Sequence, residues 1–293
     1  MKWEGITEFV HVAESESFTR ASQKLGISTA QVSRQISALE KRLNVKLLYR
    51  TTRKVSLTQE GNTFYQHCRG ILDGLEAAEQ AVSQLQELPR GKIKLTAPVT
   101  YAERILAPLL NDFLIQHPDI EINAYFTNRQ IDLVEEGYDI AVRLGKLEDS
   151  ALIAKRLSNR CNYVCASPDY LERQGTPHSL SELKQHNCLL GTLNYWRFNQ
   201  KGHDKNIRLK GRLRYNSGEA LLDAALKGIG IVQLPDYYVQ PHLDNGRLHA
   251  LLEPYQDKSE GVWGVYPPNR YLSPRIRILI DYLAEHLAKR QNS

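Results

Sequence analysis

Nowhere in the 293 residues does an apolar run approach the roughly 18 residues that a bilayer-spanning helix needs. The opening Met1-Lys2-Trp3-Glu4 leads into a polar, amphipathic segment rather than the apolar core of a signal peptide. A cytoplasmic chain without membrane contact is therefore expected. Cysteine is scarce: Cys68, Cys161, Cys165 and Cys188 are too few for a disulfide framework in a chain of this size, and a reducing compartment keeps them as thiols. Cys161 and Cys165 stand close together, but no second pair and no histidine pair completes a zinc set, so no metal is expected. Catalytic signatures are missing too: no G-x-S-x-G elbow, no phosphate loop, no H-E-x-x-H and no dinucleotide fingerprint. The nine histidines are dispersed, and Gly228-x-Gly230 needs no cofactor. Neither an enzyme nor a cofactor is expected.

What is present is a strongly localised charge. The chain carries a formal net charge of +5, and residues 1–58 hold ten Lys/Arg against five Asp/Glu, so the remaining 235 residues balance. Between Arg20 and Lys54 nine basic residues face one acid, Glu40. A compact basic segment on a neutral body is the footprint of a polyanion-binding module.

The same segment has short amphipathic helices. Phe9, Val12 and Ala13 fall at helical spacing; a second helix can start at a Thr19 cap, bury Ala21 and Leu25, and stop at Gly26. Ser28-Thr29-Ala30-Gln31 has the form of a capping box, and the helix it opens aligns Val32, Ile36, Leu39 and Leu43 on one stripe. Two helices joined by a glycine-containing turn make a helix-turn-helix, whose second helix enters the major groove by its N-terminal end. Thr29, Gln31, Ser33 and Arg34 lie there, with amide, guanidinium and hydroxyl groups suited to base edges and phosphates; the bland reading is a hydrophilic helix face. Two short strands around Thr51-Thr52-Arg53-Lys54 suggest a wing, from which Arg50, Thr52, Arg53 and Lys54 would reach the backbone or minor groove.

The next stretch is helix-favourable up to Pro89-Arg90-Gly91. Phe64, Cys68, Ile71, Leu75, Ala78, Val82 and Leu85 are spaced alternately four and three apart, a heptad seam of about 32 Å. So long and narrow a seam points to a helix pair between two chains, with packing on the protein's own head covering its first part. Cys68 then reads as a small buried hydrophobe.

These residues carry a family resemblance. Phe9-x-x-Val12-Ala13-Glu14-Ser15-x-Ser17-Phe18-Thr19-x-Ala21, then Ser33-Arg34-Gln35-Ile36, Leu39-Glu40, Leu47-Leu48-x-Arg50-Thr51-Thr52-Arg53 and Leu57-Thr58-x-x-Gly61 resemble the DNA-binding domain of LysR-type transcriptional regulators. The resemblance implies a recognition helix starting near Thr29, Arg53 in the wing, and dimers that pair into tetramers. A dimer would present two recognition helices to an inverted-repeat promoter site in double-stranded DNA.

From Lys92 on, strand and helix patterns alternate, which reads as α/β with a mostly parallel sheet. Gly91-x-Ile93-x-Leu95-x-Ala97-Pro98, His117-Pro118-Asp119-Ile120, the run Asp132 to Arg143, Ala166-Ser167-Pro168-x-Tyr170-Leu171 and Gly228-x-Gly230-Ile231 resemble the effector domain of the same family. That implies a two-lobed fold like periplasmic binding proteins, with crossovers near Cys161 to Tyr163 and near Pro267. The expected organisation is a winged helix-turn-helix at 1–58, a linker and dimerisation helix at 59–90, and an effector domain at 91–293, with lobe I at 91–161 plus 268–293 and lobe II at 162–267.

The turn after the first sensor strand makes Thr100 the leading effector contact, because free N–H groups at such turns favour anions. By the resemblance, Asn128, Arg143, Asn216 and Ser217 line the cleft. The competing readings are local: Thr100 and Ser217 as caps, Asn128 as a turn residue, Arg143 as a partner of Asp139 or a sheet-edge charge. The expectation is thus a transcriptional regulator, activator or repressor, controlled by a small, anionic effector and acting with RNA polymerase. Its rival is a cytoplasmic small-molecule receptor with redox-sensing cysteines, which leaves the basic head unexplained.

Overall fold

A computed structural model describes residues 3–50, 55–82, 89–147, 149–257, 260–268 and 272–291. Three helices open the chain: α1 (Ile6–Ser15), α2 (Phe18–Leu25) and α3 (Thr29–Leu43). The cap of α2 is Ser17 rather than Thr19, since the extended backbone of Ser17 lets its hydroxyl accept from the Arg20 amide at 3.3 Å. Gly26, at φ 66°, ends α2, and Ser28 Oγ accepts from the Gln31 amide at 3.2 Å to begin α3. Phe9, Val12, Ala21, Val32, Ile36 and Leu39 close one apolar core. Leu43 departs from the expected stripe and is 39% exposed, because Asn44 turns into the left-handed region and ends the helix at the rim of the head.

The wing strands β1 (Leu48–Arg50) and β2 (Val55–Leu57) pair antiparallel, Leu48 opposite Leu57. The long helix α4 (Gln59–Val82) follows, its first turn held by Thr58, whose hydroxyl accepts from the Gly61 amide at 2.8 Å. Phe64 and Cys68, first on the seam, complete the winged-helix core, the part expected to pack on the protein's own head; the Phe64 ring lies 5.6 Å from that of Phe9. Ile71 and Leu75, next along the seam, are 47% and 55% exposed. Ala78 and Val82 lie further along α4, but their side chains, like the whole of Leu85, fall outside the described residues.

The sensor begins with β3 (Gly91–Ala97), then α5 (Val99–Tyr101), a π-turn at Ala102–Leu106 and α6 (Ala107–Gln116). Next come β4 (Ile120–Phe126), β5 (Ile140–Gly145) and β6 (Ile153–Asn159). A second unit holds β7 (Asn162–Ala166), α7 (Pro168–Gln174), β8 (Cys188–Leu189), the hairpin β9 (Tyr195–Gln200) and β10 (His203–Arg208), α8 (Gly218–Leu226), β11 (Ile231–Pro235), α9 (Asp236–Asp244) and β12 (His249–Leu251). Then β13 (Gly261–Tyr266) and α10 (Pro274–Gln291) close the chain.

Lobe I is the sheet β4-β3-β5-β13-β6 and lobe II the sheet β12-β7-β11-β8. Two expectations change here. The sheets are mixed rather than mostly parallel: β3 pairs in parallel with β4 and β5, whereas β13 runs antiparallel to both its neighbours. And β13 belongs to lobe I, so the second crossover falls between Gln256 and Gly261 rather than near Pro267. The run Gly-Val-Trp-Gly-Val-Tyr is apolar on both faces and would suit an interior strand of either sheet; the tertiary pairing decides. The last helix returns to lobe I as expected, packing Ile276, Ile280, Leu283 and Leu287 against Ile93 and Leu95.

The start of α4 also rests on lobe I. Asn62 Nδ2 donates to the Glu135 carbonyl at 3.4 Å and an Arg69 guanidinium nitrogen to the Lys92 carbonyl at 3.4 Å. Gly137, at φ 68°, leaves the room that the Gln66 amide fills: a Cβ there would stand 1.9 Å from Gln66 Nε2.

Candidate nucleic-acid interface and effector cleft

In the head, α3 turns its apolar stripe inward, which leaves its opposite face in solvent. Gln31 and Arg34 are exposed on that face near the N-terminus, and Arg34 has no carboxylate partner among the described residues. Thr29 is exposed too, but its hydroxyl lies 3.1 Å from Ser22 Oγ, tying α3 to α2. Ser33 is half-buried and accepts from Arg50 Nη1 at 3.3 Å. Arg50, expected to reach DNA phosphates, is a brace: its guanidinium sits 5.0 Å over the Phe18 ring and donates to Glu40 at 3.4 Å. Thr52, Arg53 and Lys54 lie outside the described residues.

The acid in the basic stretch is the centre of this brace. Glu40 is 3% exposed; one carboxylate oxygen accepts from the Leu47 and Leu48 amides at 2.9 and 3.2 Å, the other from Lys46 Nζ at 2.9 Å. Burial alone would raise its carboxyl, but the Lys46 ammonium, the two amides and Arg50 outweigh it and hold it below the usual carboxylate range. Glu40 thereby fixes the angle between recognition helix and wing. A second carboxylate, Glu14 on α1, joins Arg69 on α4 and Lys24 on α2; burial raises it, and His11, Arg69 and Lys24 together bring it below its ordinary value.

In the sensor, Thr100 sits on the first helical turn after β3, near the Tyr238 hydroxyl across the gap between the lobes. Tyr238 fills the space beside Gly218, where a Cβ would stand 2.4 Å from the phenol carbon. Arg104 straps the same place: it donates to the Tyr237 carbonyl at 2.7 Å, pairs with Glu219 at 2.7 Å, and lies 5.4 Å over the Tyr238 ring. The cleft is thus closed on its own tyrosine.

The other expected contacts divide. Asn128 stays beside Thr100, its side-chain oxygen accepting from the Val99 amide at 3.1 Å. Ser217 caps α8 by accepting from the Ala220 amide at 3.3 Å, which brings it next to Gly218 and the same tyrosine. Asn216 is exposed one residue earlier. Arg143 donates to the Ile131 carbonyl at 2.8 Å, and burial lowers its pKa, while Asp139 accepts from the Lys94 amide at 2.7 Å. Arg143 therefore holds the lobe I scaffold.

The hinge carries its own buried ion group. Glu260, in the second crossover and 1% exposed at its side chain, accepts from Arg160 Nε in the first crossover at 2.9 Å and from Arg197 on β9 at 2.7 Å. Desolvation opposes its charge, and the two arginines overcome that and depress its pKa. Of the thiols, burial pushes Cys68 up to about 11 and both Cys165 and Cys188 up to about 12, which disfavours the thiolate form of these three.

Residues 3–62 match the bacterial regulatory helix-turn-helix proteins of the lysR family, and residues 86–288 match the LysR substrate binding domain. The chain belongs to the LysR family. Among curated LysR-type relatives, it is 36% identical over 290 residues to the HTH-type transcriptional regulator CrgA of Neisseria meningitidis serogroup C (strain 8013), covering 97% of this chain and 96% of that one. It is 31% identical over 280 residues to the HTH-type transcriptional activator TtdR of Escherichia coli (strain K12), with 94% and 90% covered. The solved structure of CrgA, described as a LysR-type transcriptional regulator from Neisseria meningitidis, matches with a TM-score of 0.60 at 35% identity, covering 97% of this chain and 98% of that one. This LysR-family chain is accordingly a transcriptional regulator with a DNA-binding head and an effector-binding domain. No helix among its described residues is long and apolar enough to cross a membrane.

Sequence reasoning missed Glu40 as a structural centre and missed the cleft residues Arg104, Glu219 and Tyr238. Glu40 and Tyr238 had a signal. Glu40 was the single acid in a basic run, and Tyr237-Tyr238 follow the carboxyl end of a strand, where α/β sheets place ligands.

Proposed function

We propose that this LysR-family regulator is a non-enzymatic, cytoplasmic protein that binds an inverted-repeat promoter site as a homodimer or a pair of dimers. It responds to a small effector with an anionic group and acts on RNA polymerase. The observation that carries the reading is the exposed pair Gln31 and Arg34 on the first turns of α3, in a head with a surplus of positive charge. Amide and guanidinium groups there can bond base edges bidentately. Thr29, Ser33 and Arg50 set the helix that presents them, and Thr52, Arg53 and Lys54 are assigned to the wing contact. Ile71 and Leu75, apolar and exposed on α4, support the dimer seam, which Ala78, Val82 and Leu85 extend.

For the sensor, an anionic group would displace Tyr238 from beside Thr100, with Asn128, Asn216 and Ser217 around it. The lobes would then reset their angle, and α4, docked on lobe I, would pass the change to the spacing of the heads. Arg34→Ala and Arg53→Ala should abolish retardation of promoter DNA while leaving ligand-induced thermal stabilisation of the sensor intact, and Thr100→Val should do the reverse. An Arg34→Ala/Arg53→Ala protein that still retards its promoter normally would overturn the assignment of the head.

A further inference from the structure

The sensor's overall charge balance hides a local surplus. Between Lys201 and Arg214, six Lys/Arg accompany a single acid, Asp204. Asp204 is already committed to Lys146, just after β5. None of Lys201, Lys205, Arg208, Lys210, Arg212 and Arg214 has a carboxylate partner among the described residues, and all are exposed. Elsewhere on the sensor, exposed lysines find acids: Lys155 with Asp281, Lys227 with Asp223, Lys289 with Glu285.

The surface is also rigid. Trp196, Phe198 and Leu209 anchor the hairpin in the core of lobe II. The segment after β10 runs along the edge of the lobe II sheet, with the Cys188 amide donating to the Lys210 carbonyl at 3.4 Å and the Tyr215 amide to Leu190 at 3.0 Å. Arg214 is pinned on the Gly191 and Thr192 carbonyls. At about 3.4 Å per residue the six-residue strands reach about 20 Å, a length that passes roughly a dozen duplex phosphates.

We propose that the β9–β10 hairpin and the segment after it form a second, sequence-independent duplex-binding surface, which takes the DNA flanking the site held by the head. This rests on the head being the primary DNA reader, as argued above. Duplex DNA is the polyanion that complements exposed cations without carboxylate partners along one hairpin and the segment behind it, and once the head is bound it is present at the high effective concentration of a tethered partner. An acidic protein surface would take the same charges but has no such tether.

The test uses the full chain and fluorescence anisotropy against salt, on mixed-sequence duplexes of about 20 and about 60 base pairs. Lys201→Gln/Lys205→Gln/Arg208→Gln/Lys210→Gln should lower the slope of log K against log salt by up to about 3.6 on the long duplex and leave it unchanged on the short one. The pairs Lys201→Gln/Lys205→Gln and Arg208→Gln/Lys210→Gln should each lose about half of that, which keeps the test open if the fourfold variant folds poorly. An unchanged slope on both duplexes overturns the proposal, as does an equal loss on both. Arg34→Ala should weaken both lengths alike; if it weakens neither, it is the reading of the head that fails, a distinct outcome.

Discussion

Replacing Glu40 tests the reading of the head most directly, because its partners are of two kinds with different energies. Glu40→Ala strands the buried Leu47 and Leu48 amides, each at about 1–3 kcal/mol. The exposed Lys46 and Arg50 ends add about 0–1 kcal/mol each, so the total is on the order of 2–8 kcal/mol, which brackets the roughly 3–5 kcal/mol usual for breaking a buried charged group. Glu40→Gln keeps a carbonyl oxygen for the two amides and loses mainly the charge, about 1 kcal/mol. For a head of this size each kcal/mol shifts the melting temperature by about 4–8 °C. Hydrogen exchange of the α3 amides in the full chain reads the head alone, with α6 and α10 as internal controls. The expected order is wild type, then Glu40→Gln, then Glu40→Ala, with retardation of promoter DNA lost in the last. A Glu40→Ala protein whose α3 amides stay as protected as wild type would refute the assignment of Glu40 as the brace between recognition helix and wing.

Glu14, Glu40 and Glu260 all have depressed carboxyl pKa values, so each contributes stability that is present above the ordinary carboxylate range and lost as pH falls through its lowered native value. Acid titration followed by circular dichroism should therefore show a drop on the acid side, weakened in Glu260→Gln; a profile flat to strongly acid pH contradicts it. Ile71→Glu/Leu75→Glu should shift the protein to monomer in sedimentation, and an unchanged dimer would place the seam elsewhere. Gly218→Ala drives a methyl into Tyr238, at a cost of about 1–3 kcal/mol, and should expose that tyrosine to solvent-perturbation spectroscopy; a Tyr238 as protected as before would show that the cleft is not closed by it.

Where the sequence was legible, local physics and tertiary physics agreed. The stripe Val32, Ile36 and Leu39 forced the inner face of α3, and Gly26 and Ser28 fixed the turn before it. The seam on α4 was legible only in part: its spacing is the same whether the apolar face meets a partner or the protein's own head, and Phe64 and Cys68 took the second course. Strand β13 went to the other lobe because an apolar hexapeptide carries no mark of its partner. Arg50 illustrates the same limit at the interface, since a basic residue beside a recognition helix reads alike whether it meets a phosphate or a buried glutamate 3.4 Å away.

The hinge explains how one cleft could govern a distant head. Lobe I carries the contacts to α4, through Asn62 on Glu135 and Arg69 on Lys92, which are the route by which a shift of lobe I would reach the DNA-binding module. Lobe II is joined to lobe I by the two crossovers, whose Arg160 and Glu260 are clamped together and to Arg197 of the basic hairpin's first strand. If the cleft opens at Tyr238, the Arg160–Glu260–Arg197 group at the crossovers is the expected pivot of lobe II, and the exposed cations on β10 and beyond would turn with it. Glu260→Gln keeps the shape and removes the charge that holds both arginines. It should loosen the angle between lobes, weaken the salt-dependent grip on flanking DNA, and spare the head's hold on a short duplex. If the grip on long duplexes survives Glu260→Gln unchanged while hydrogen exchange shows the crossovers released, the hinge and the hairpin are not coupled.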